Sequence, residues 1–232
     1  MFVTVLVVVV VSAALVVGAA WGIYGRLSPG LEGFIVALAG GALMVSAVLE
    51  LIEPSSRKVS IWAASALVMV GAAVFAGLDY LIKKRWGGGS GGGLLAAITL
   101  DGIPENLALG VALIGTGPLG AAALSGSILL SNLPEAAGGA RSMAKGGRSK
   151  AQVMGLWAGT AALLSAAALA GNLLMGGAPD TVLALVRCFA GGAVVASLAI
   201  EVFPKSFKED GYSTGLAVAL GLVMALCLDQ LG

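Results

Sequence analysis

Eight long apolar runs, separated by short breaks, dominate this chain and restrict what it can fold into. They cover residues 2–25, 31–52, 59–82, 94–115, 118–140, 151–175, 181–203 and 213–231. A helix of about 20 mainly apolar residues is enough to cross a bilayer. The breaks carry turn chemistry or charge: Arg26 to Gly30, Pro54 to Lys58, Lys83 to Gly93, Thr116 to Pro118, Arg141 to Lys150, Gly176 to Asp180 and Lys205 to Gly211. The expected fold is therefore all-α, a polytopic membrane protein with eight transmembrane helices. Of the 232 residues 59% are hydrophobic and only 11% charged, against about a quarter charged in soluble domains. Too few charges remain to clothe a water-facing surface, and too little chain remains for a soluble domain.

Composition removes other classes. Disordered chains are polar and highly charged, which this one is not. A net charge of +1 provides no basic face for nucleic acid. The chain has no histidine, so it has no Ser-His-Asp or Cys-His nucleophile, no imidazole base and no His-ligated zinc site. Enzymatic activity is not expected. Cys188 and Cys227 stand apart in apolar runs, with no CxxC pair, and read as small core residues. Trp86 to Gly93 (WGGGSGGG) is linker chemistry, without the Lys-Ser/Thr ending of a phosphate-binding loop.

No basic residue precedes the first run, which ends at Arg26, so it reads as a retained helix rather than a cleaved leader. Basic residues orient the bundle, because cytoplasmic connections collect Lys and Arg. With the N-terminus outside, ten fall inside: Arg26; Lys83, Lys84 and Arg85; Arg141, Lys145, Arg148 and Lys150; Lys205 and Lys208. Only Arg57 and Lys58 fall in outside connections, and Arg187 lies within the seventh run. The expectation is a cell-membrane protein with both termini outside.

The second and seventh runs resemble one another. Ala39-Gly40-Gly41-Ala42, Ser46, Glu50 and Pro54 in one are followed by Ala190-Gly191-Gly192-Ala193, Ser197, Glu201 and Pro204 in the other. An offset of 151 aligns the tetrad, the serine and the acid. In the expected topology these two helices run in opposite directions. That makes residues 1–82 and 151–232 an inverted repeat of three helices each around a central pair at 94–140, a 3+2+3 arrangement. Inverted repeats recur in secondary transporters, which bind substrate near the bilayer midplane. The paired glycines are expected to serve close helix packing, where small residues let backbones approach.

The chemistry falls in the central pair. The fourth run reads Leu100-Asp101-Gly102-Ile103-Pro104-Glu105-Asn106, and the fifth reads Leu130-Ser131-Asn132-Leu133-Pro134-Glu135. An ionised side chain in mid-membrane costs at least about 2.5–3.5 kcal/mol on insertion scales, so three acids there must face the interior and be paired, protonated or metal-bound. Asp101 and Glu105 are i and i+4 on one helix face, as are Ser131 and Glu135. Pro104 and Pro134 cannot donate to the carbonyls of Leu100 and Leu130, so each helix is expected to kink and free a carbonyl beside the acids. Acids, amides, a hydroxyl and free carbonyls describe an oxygen-lined cation site. Two other uses of the same groups stay open at this point: protonated acids bonded across helices, and a metal-free proton relay.

These motifs carry a resemblance. Pro104-Glu105 and Pro134-Glu135 on the fourth and fifth of eight helices, each preceded by polar residues, are similar to the ZIP (Zrt/Irt-like) metal-ion transporter family. That family's fourth helix usually reads His-Asn-x-Pro-Glu-Gly. Here Asp101 stands at the histidine position and Gly102 at the asparagine; Ser131 and Asn132 stand at the ligand positions of the fifth helix. The resemblance implies a divalent cation moved toward the cytoplasm, with Glu105 and Glu135 as charged ligands, Asp101 as a third, and Ser131 and Asn132 as neutral oxygens. Asn106 lies nearby. Gly102 cannot ligate, and the sixth run offers only Thr160, Ser165 and Asn172, so one metal position is expected rather than two. An oxygen-only set suits Mg, Mn or Ca, and carboxylates also bind Fe and Zn.

Other acids sit near run ends. Glu50 is a candidate entry acid and Glu201 a candidate exit acid, while Asp79 and Asp229 read as solvated interface residues. The expected partners are the cation and the lipid bilayer, with no nucleic acid. A homodimer is compatible with the sequence. A proton-coupled or proton-only carrier, a cation channel and a scaffold without a transport cycle are the rival readings.

Overall fold

Ser28, Pro29 and Glu32 open one helix in a way that local chemistry dictates. The Ser28 hydroxyl accepts from the Leu31 amide at 3.3 Å, Pro29 takes the first helical position, and Glu32 meets the positive end of the helix dipole. Another begins at a capping box, in which Ser149 and Gln152 satisfy each other's backbone amides. The computed structural model describes residues 2–25, 28–86, 91–114 and 121–230; the side chains of residues 86, 91–98 and 101 fall outside that description.

All the described elements are helical. They are α1 (Phe2–Tyr24), α2 (Pro29–Ser46) continued by a π-helical turn (Ala47–Ile52) and α3 (Glu53–Ser56), α4 (Ile61–Trp86), α5 (Gly91–Ala112), α6 (Ala122–Lys145) and α7 (Lys150–Met175). Then come α8 (Asp180–Ser197) continued by a second π-helical turn (Leu198–Val202) and α9 (Phe203–Asp210), and finally α10 (Ser213–Asp229). Gly211, at φ 69°, makes the turn from α9 into α10, a left-handed conformation that favours glycine.

Among the described residues, five helical rods are long and apolar enough to cross a membrane: Phe2–Tyr24, Pro29–Ser56, Ile61–Arg85, Lys150–Met175 and Asp180–Asp210. Helix α10 is apolar but has 17 residues, about 26 Å of rise against a hydrocarbon core of about 30 Å. Helix α6, which carries Asn132, Pro134, Glu135 and Arg141, is less apolar. The chain is thus an all-helical protein with apolar helices of multi-pass membrane type. Its exterior agrees: Phe2, Leu6, Val9, Trp62, Met69, Leu78, Leu174, Leu216 and Val223 are all exposed. Large apolar side chains shown to water on this scale would be an aggregation hazard, whereas lipid solvates them. The core runs through the middle, with Val8, Val11, Leu43, Leu109, Leu124, Ile128, Val194 and Leu198 in one cluster and Leu15, Met143, Trp157 and Leu164 in another.

Glycine sets the helix spacing. A Cβ at Gly41 would strike the Val218 carbonyl, and one at Gly221 the Leu38 carbonyl, so α2 and α10 touch backbone to backbone. Gly192 against Val68 and Gly71 against Phe189 do the same for α8 and α4. Gly40 faces Phe203 and Gly191 faces Ile52. The packing role expected of all four paired glycines is what the structure gives.

Contacts sort the rod ends into two sets. At one end Lys58 bonds Asp180 (2.8 Å), Arg187 donates to the Val111 carbonyl (2.8 Å), and the Leu124 amide donates to Glu50 (2.6 Å). At the other, Glu32 binds Arg141 (3.2 Å) and Lys205 (3.3 Å), Lys83 binds Glu201, and Lys150 lies over the Tyr24 ring at 4.6 Å. Successive rods therefore run in alternating directions.

Candidate functional site

The two helices that carry the polar motifs sit inside the bundle. Helix α6 packs on α1 and α2 and also meets α5, α7 and α10, while α5 packs on α7, α8 and α4. Both run as α-helix through their prolines, Pro104 and Pro134. The departure from α-geometry occurs elsewhere, in the π-helical turns that precede Pro54 and Pro204. There the Glu53 amide reaches back to the Val48 carbonyl and the Phe203 amide to that of Leu198, each five residues earlier. A proline ring clashes with the carbonyl four residues before it, and widening the preceding turn relieves that clash. Glu50 and Glu201 lie within these widened turns.

The structure places the expected ligands as follows. Glu105 is buried at 6% exposure and Asn106 at 0%; Ser131 and Asn132 are each 3% exposed, and Glu135 is half-buried. The Asn106 amide donates to the Gly102 carbonyl at 2.9 Å, which turns its oxygen the other way, buried and without a partner among the described residues. The Ser131 hydroxyl donates to the Ile128 carbonyl (3.0 Å), and the Asn132 amide donates across to the Val11 carbonyl of α1 (3.3 Å). Asn132 thus has its nitrogen committed to α1. Gly102 faces Leu164 so closely that a side chain there would displace it, which is a packing reason for the residue that cannot ligate. The Asp101 side chain, residues 87–90 of the expected linker and the break at Thr116–Pro118 lie outside the described residues; the rest of the expected linker is helical, with Trp86 ending α4 and Gly91 to Gly93 opening α5. Among the described residues no group of three or more acids or cysteines stands ready for one metal ion.

One flanking acid differs from expectation. Asp79 is buried at 4% exposure and pairs with Lys83 at 3.0 Å, so it is no solvated interface residue. Its position on α4, one turn before Lys83, is an i, i+4 pair that the sequence displayed. Glu50 is half-buried, with one carboxylate oxygen on the Leu124 amide in the first turn of α6, where a negative charge meets the helix dipole. Its other oxygen is buried without a partner among the described residues. Asp229 is exposed, as expected, and close enough for its charge to act on Glu50. Cys188 is buried but Cys227 is exposed on α10, so only one cysteine is a core residue.

Sequence reasoning missed Glu32. It is 5% exposed and takes Lys205 on one carboxylate oxygen and Arg141 on the other, tying α2, α6 and α9 together. Gly138 leaves the room: a Cβ there would collide with the Glu32 carboxylate. The charge on Glu135 is acted on by Lys205 and Glu201, which places this candidate ligand near both ionic networks of that end.

No protein-family model matches the chain, and no curated protein matches its sequence significantly.

Proposed function

We propose that this protein carries a divalent metal ion across the cell membrane through an oxygen-lined position between α5 and α6. The carrying observation is the buried polar band on those two helices. Glu105, Asn106, Ser131 and Asn132 are all at 6% exposure or less inside a bundle whose exterior is apolar. Burying an ionisable carboxylate with this many polar oxygens costs free energy that a purely structural helix pair would avoid. Bound divalent charge offsets that cost. Glu105 and Glu135 are the charged ligands, with Asp101 as the third. Ser131 and the free oxygen of Asn106 are neutral donors, and Asn132 contributes an oxygen while its nitrogen holds α1.

The same reading takes all eight rods as crossings, both termini outside, with residues 1–82 and 151–232 as inverted repeats around 94–140. Paired contacts support the repeat. The offset of 151 carries Gly41 to Gly192, Leu38 to Phe189 and Ile52 to Phe203. An offset of 150 carries Val68 to Val218 and Gly71 to Gly221. Under these offsets the α2–α10 contacts become the α8–α4 contacts, and Gly40 on Phe203 becomes Gly191 on Ile52. Two π-helical turns fall in matching places as well. The resemblance to ZIP transporters adds the inward direction. Hard oxygen donors favour Mn, Mg or Ca, with Fe and Zn as further cargo.

The test is uptake by purified protein in liposomes, with Mn, Mg, Ca, Fe(II) and Zn in competition and the lumen assayed for metal. Saturable uptake that Glu105→Ala or Glu135→Ala abolishes supports the carrier. Uptake that rises linearly with concentration identifies a channel, charge movement with all metal chelated identifies a proton-only carrier, and uptake indifferent to both variants refutes the site.

A further inference from the structure

The end of the bundle that collects the basic residues holds a cation that the chain itself supplies. The Lys83 ammonium, from the last turn of α4, stands between two carboxylates: Asp79 of the same helix at 3.0 Å, and Glu201 from the π-helical turn after α8. Asp79 is buried, whereas the lysine side chain is 39% exposed on a flexible four-carbon stem. The two carboxylates and the ammonium sum to a net charge of −1. A pair of acids holding −2 is the charge a divalent ion matches. Glu201 is also one of the charges that act on Glu135 of α6.

The opposite end supplies the comparison. Glu50 and Asp229, the positions that the offsets of 151 and 150 pair with Glu201 and Asp79, are likewise close enough to interact. Neither has a lysine or arginine ion-pair partner among the described residues. The same two acids therefore stand at both ends, and one end alone is closed by an ammonium.

We propose that Lys83 is a tethered cation that closes the cytoplasmic-side exit, occupying a divalent-cation position formed by Glu201 and Asp79 from which the cargo ion must displace it. Cargo arriving at Glu201 swings the lysine stem outward, and its departure lets the ammonium return. Between ions, the returning ammonium keeps the two carboxylates neutralised and the way shut. This rests on the cation-carrier reading, and the experiment below separates the two.

Mn2+ bound by the purified full-length protein is counted by equilibrium dialysis and metal analysis for the wild type, Lys83→Met, and Lys83→Met with Glu201→Gln. At free Mn2+ below the level that displaces Lys83 in the wild type, the expected result is one more ion per chain in Lys83→Met than in the wild type, with the extra ion lost in the double variant. A Lys83→Met protein that elutes as a single species and binds no more Mn2+ than the wild type overturns the proposal. Wild-type protein that binds no divalent ion at all refutes the carrier reading instead. Should Lys83→Met not fold, the unaltered protein still decides. Saturating Mn2+ is expected to raise amine acylation of Lys83 several-fold, read by mass spectrometry with Lys84 as the internal reference. An unchanged ratio overturns the proposal.

Discussion

Gly41→Ala and Gly192→Ala test the packing of the bundle. Each methyl group would run into a backbone carbonyl, that of Val218 for Gly41 and that of Val68 for Gly192. A carbonyl cannot rotate away as a side-chain tip can, so the helices must separate and lose contacts along their length. Overpacking of this kind costs about 1–3 kcal/mol. Gly77 and Gly159 are the controls, since nothing lies within 4 Å of a Cβ built on either. At such open helical positions alanine is favoured over glycine by about 0.5–1 kcal/mol. The two classes of the same substitution should thus move stability in opposite directions. In thermal unfolding of detergent-solubilised protein, Gly41→Ala and Gly192→Ala should lower Tm by roughly 2–12 °C, and the controls should raise it by roughly 1–4 °C. Gly41 and Gly192 lie in different helix pairs with no shared partner, so the double variant should equal the sum to within about 0.5 kcal/mol. A Gly192→Ala protein as stable as Gly159→Ala would refute the backbone-to-backbone approach.

Other substitutions probe particular contacts. Trp157 is fully buried in the cluster that joins α7 to α1 and α6, and Trp157→Ala should cost about 3–5 kcal/mol in a denaturation assay; a loss under 1 kcal/mol would mean the site collapses freely. Glu32→Gln should destabilise far more than Lys58→Met in the same assay. Losing the Glu32 charge leaves Arg141 and Lys205 uncompensated around a buried side chain, while Lys58 and Asp180 form an exposed pair that water screens. Equal losses would contradict the buried lock. Asp101→His should shift cargo preference toward zinc in the liposome competition, and unchanged selectivity would place Asp101 outside the ligand set.

What the sequence made legible follows from the range of the forces involved. The eight rods could be read because each is a continuous apolar run, and the paired glycines because small residues in such runs have a packing use. The polar motifs on α5 and α6 stood out because acids are expensive in an apolar run. What escaped notice depended on distant residues. Glu32 looked like an ordinary acid in a first helical turn, since its partners Arg141 and Lys205 lie 109 and 173 positions away. Asp79 had its lysine one turn along the same helix, but only the folded chain brings Glu201 beside them. Pro104 and Pro134 drew attention as kinks, yet the helical geometry changes before Pro54 and Pro204. Those prolines were visible in matching places; the widened turn that accommodates them was not.

The most direct test of the central claim is an anomalous difference map from crystals of the protein soaked in Mn2+. A peak between α5 and α6, within about 2.0–2.6 Å of carboxylate oxygens from both Glu105 and Glu135, is the result predicted here. A map with no peak there, and with those two carboxylates directed at separate protein partners, would contradict it.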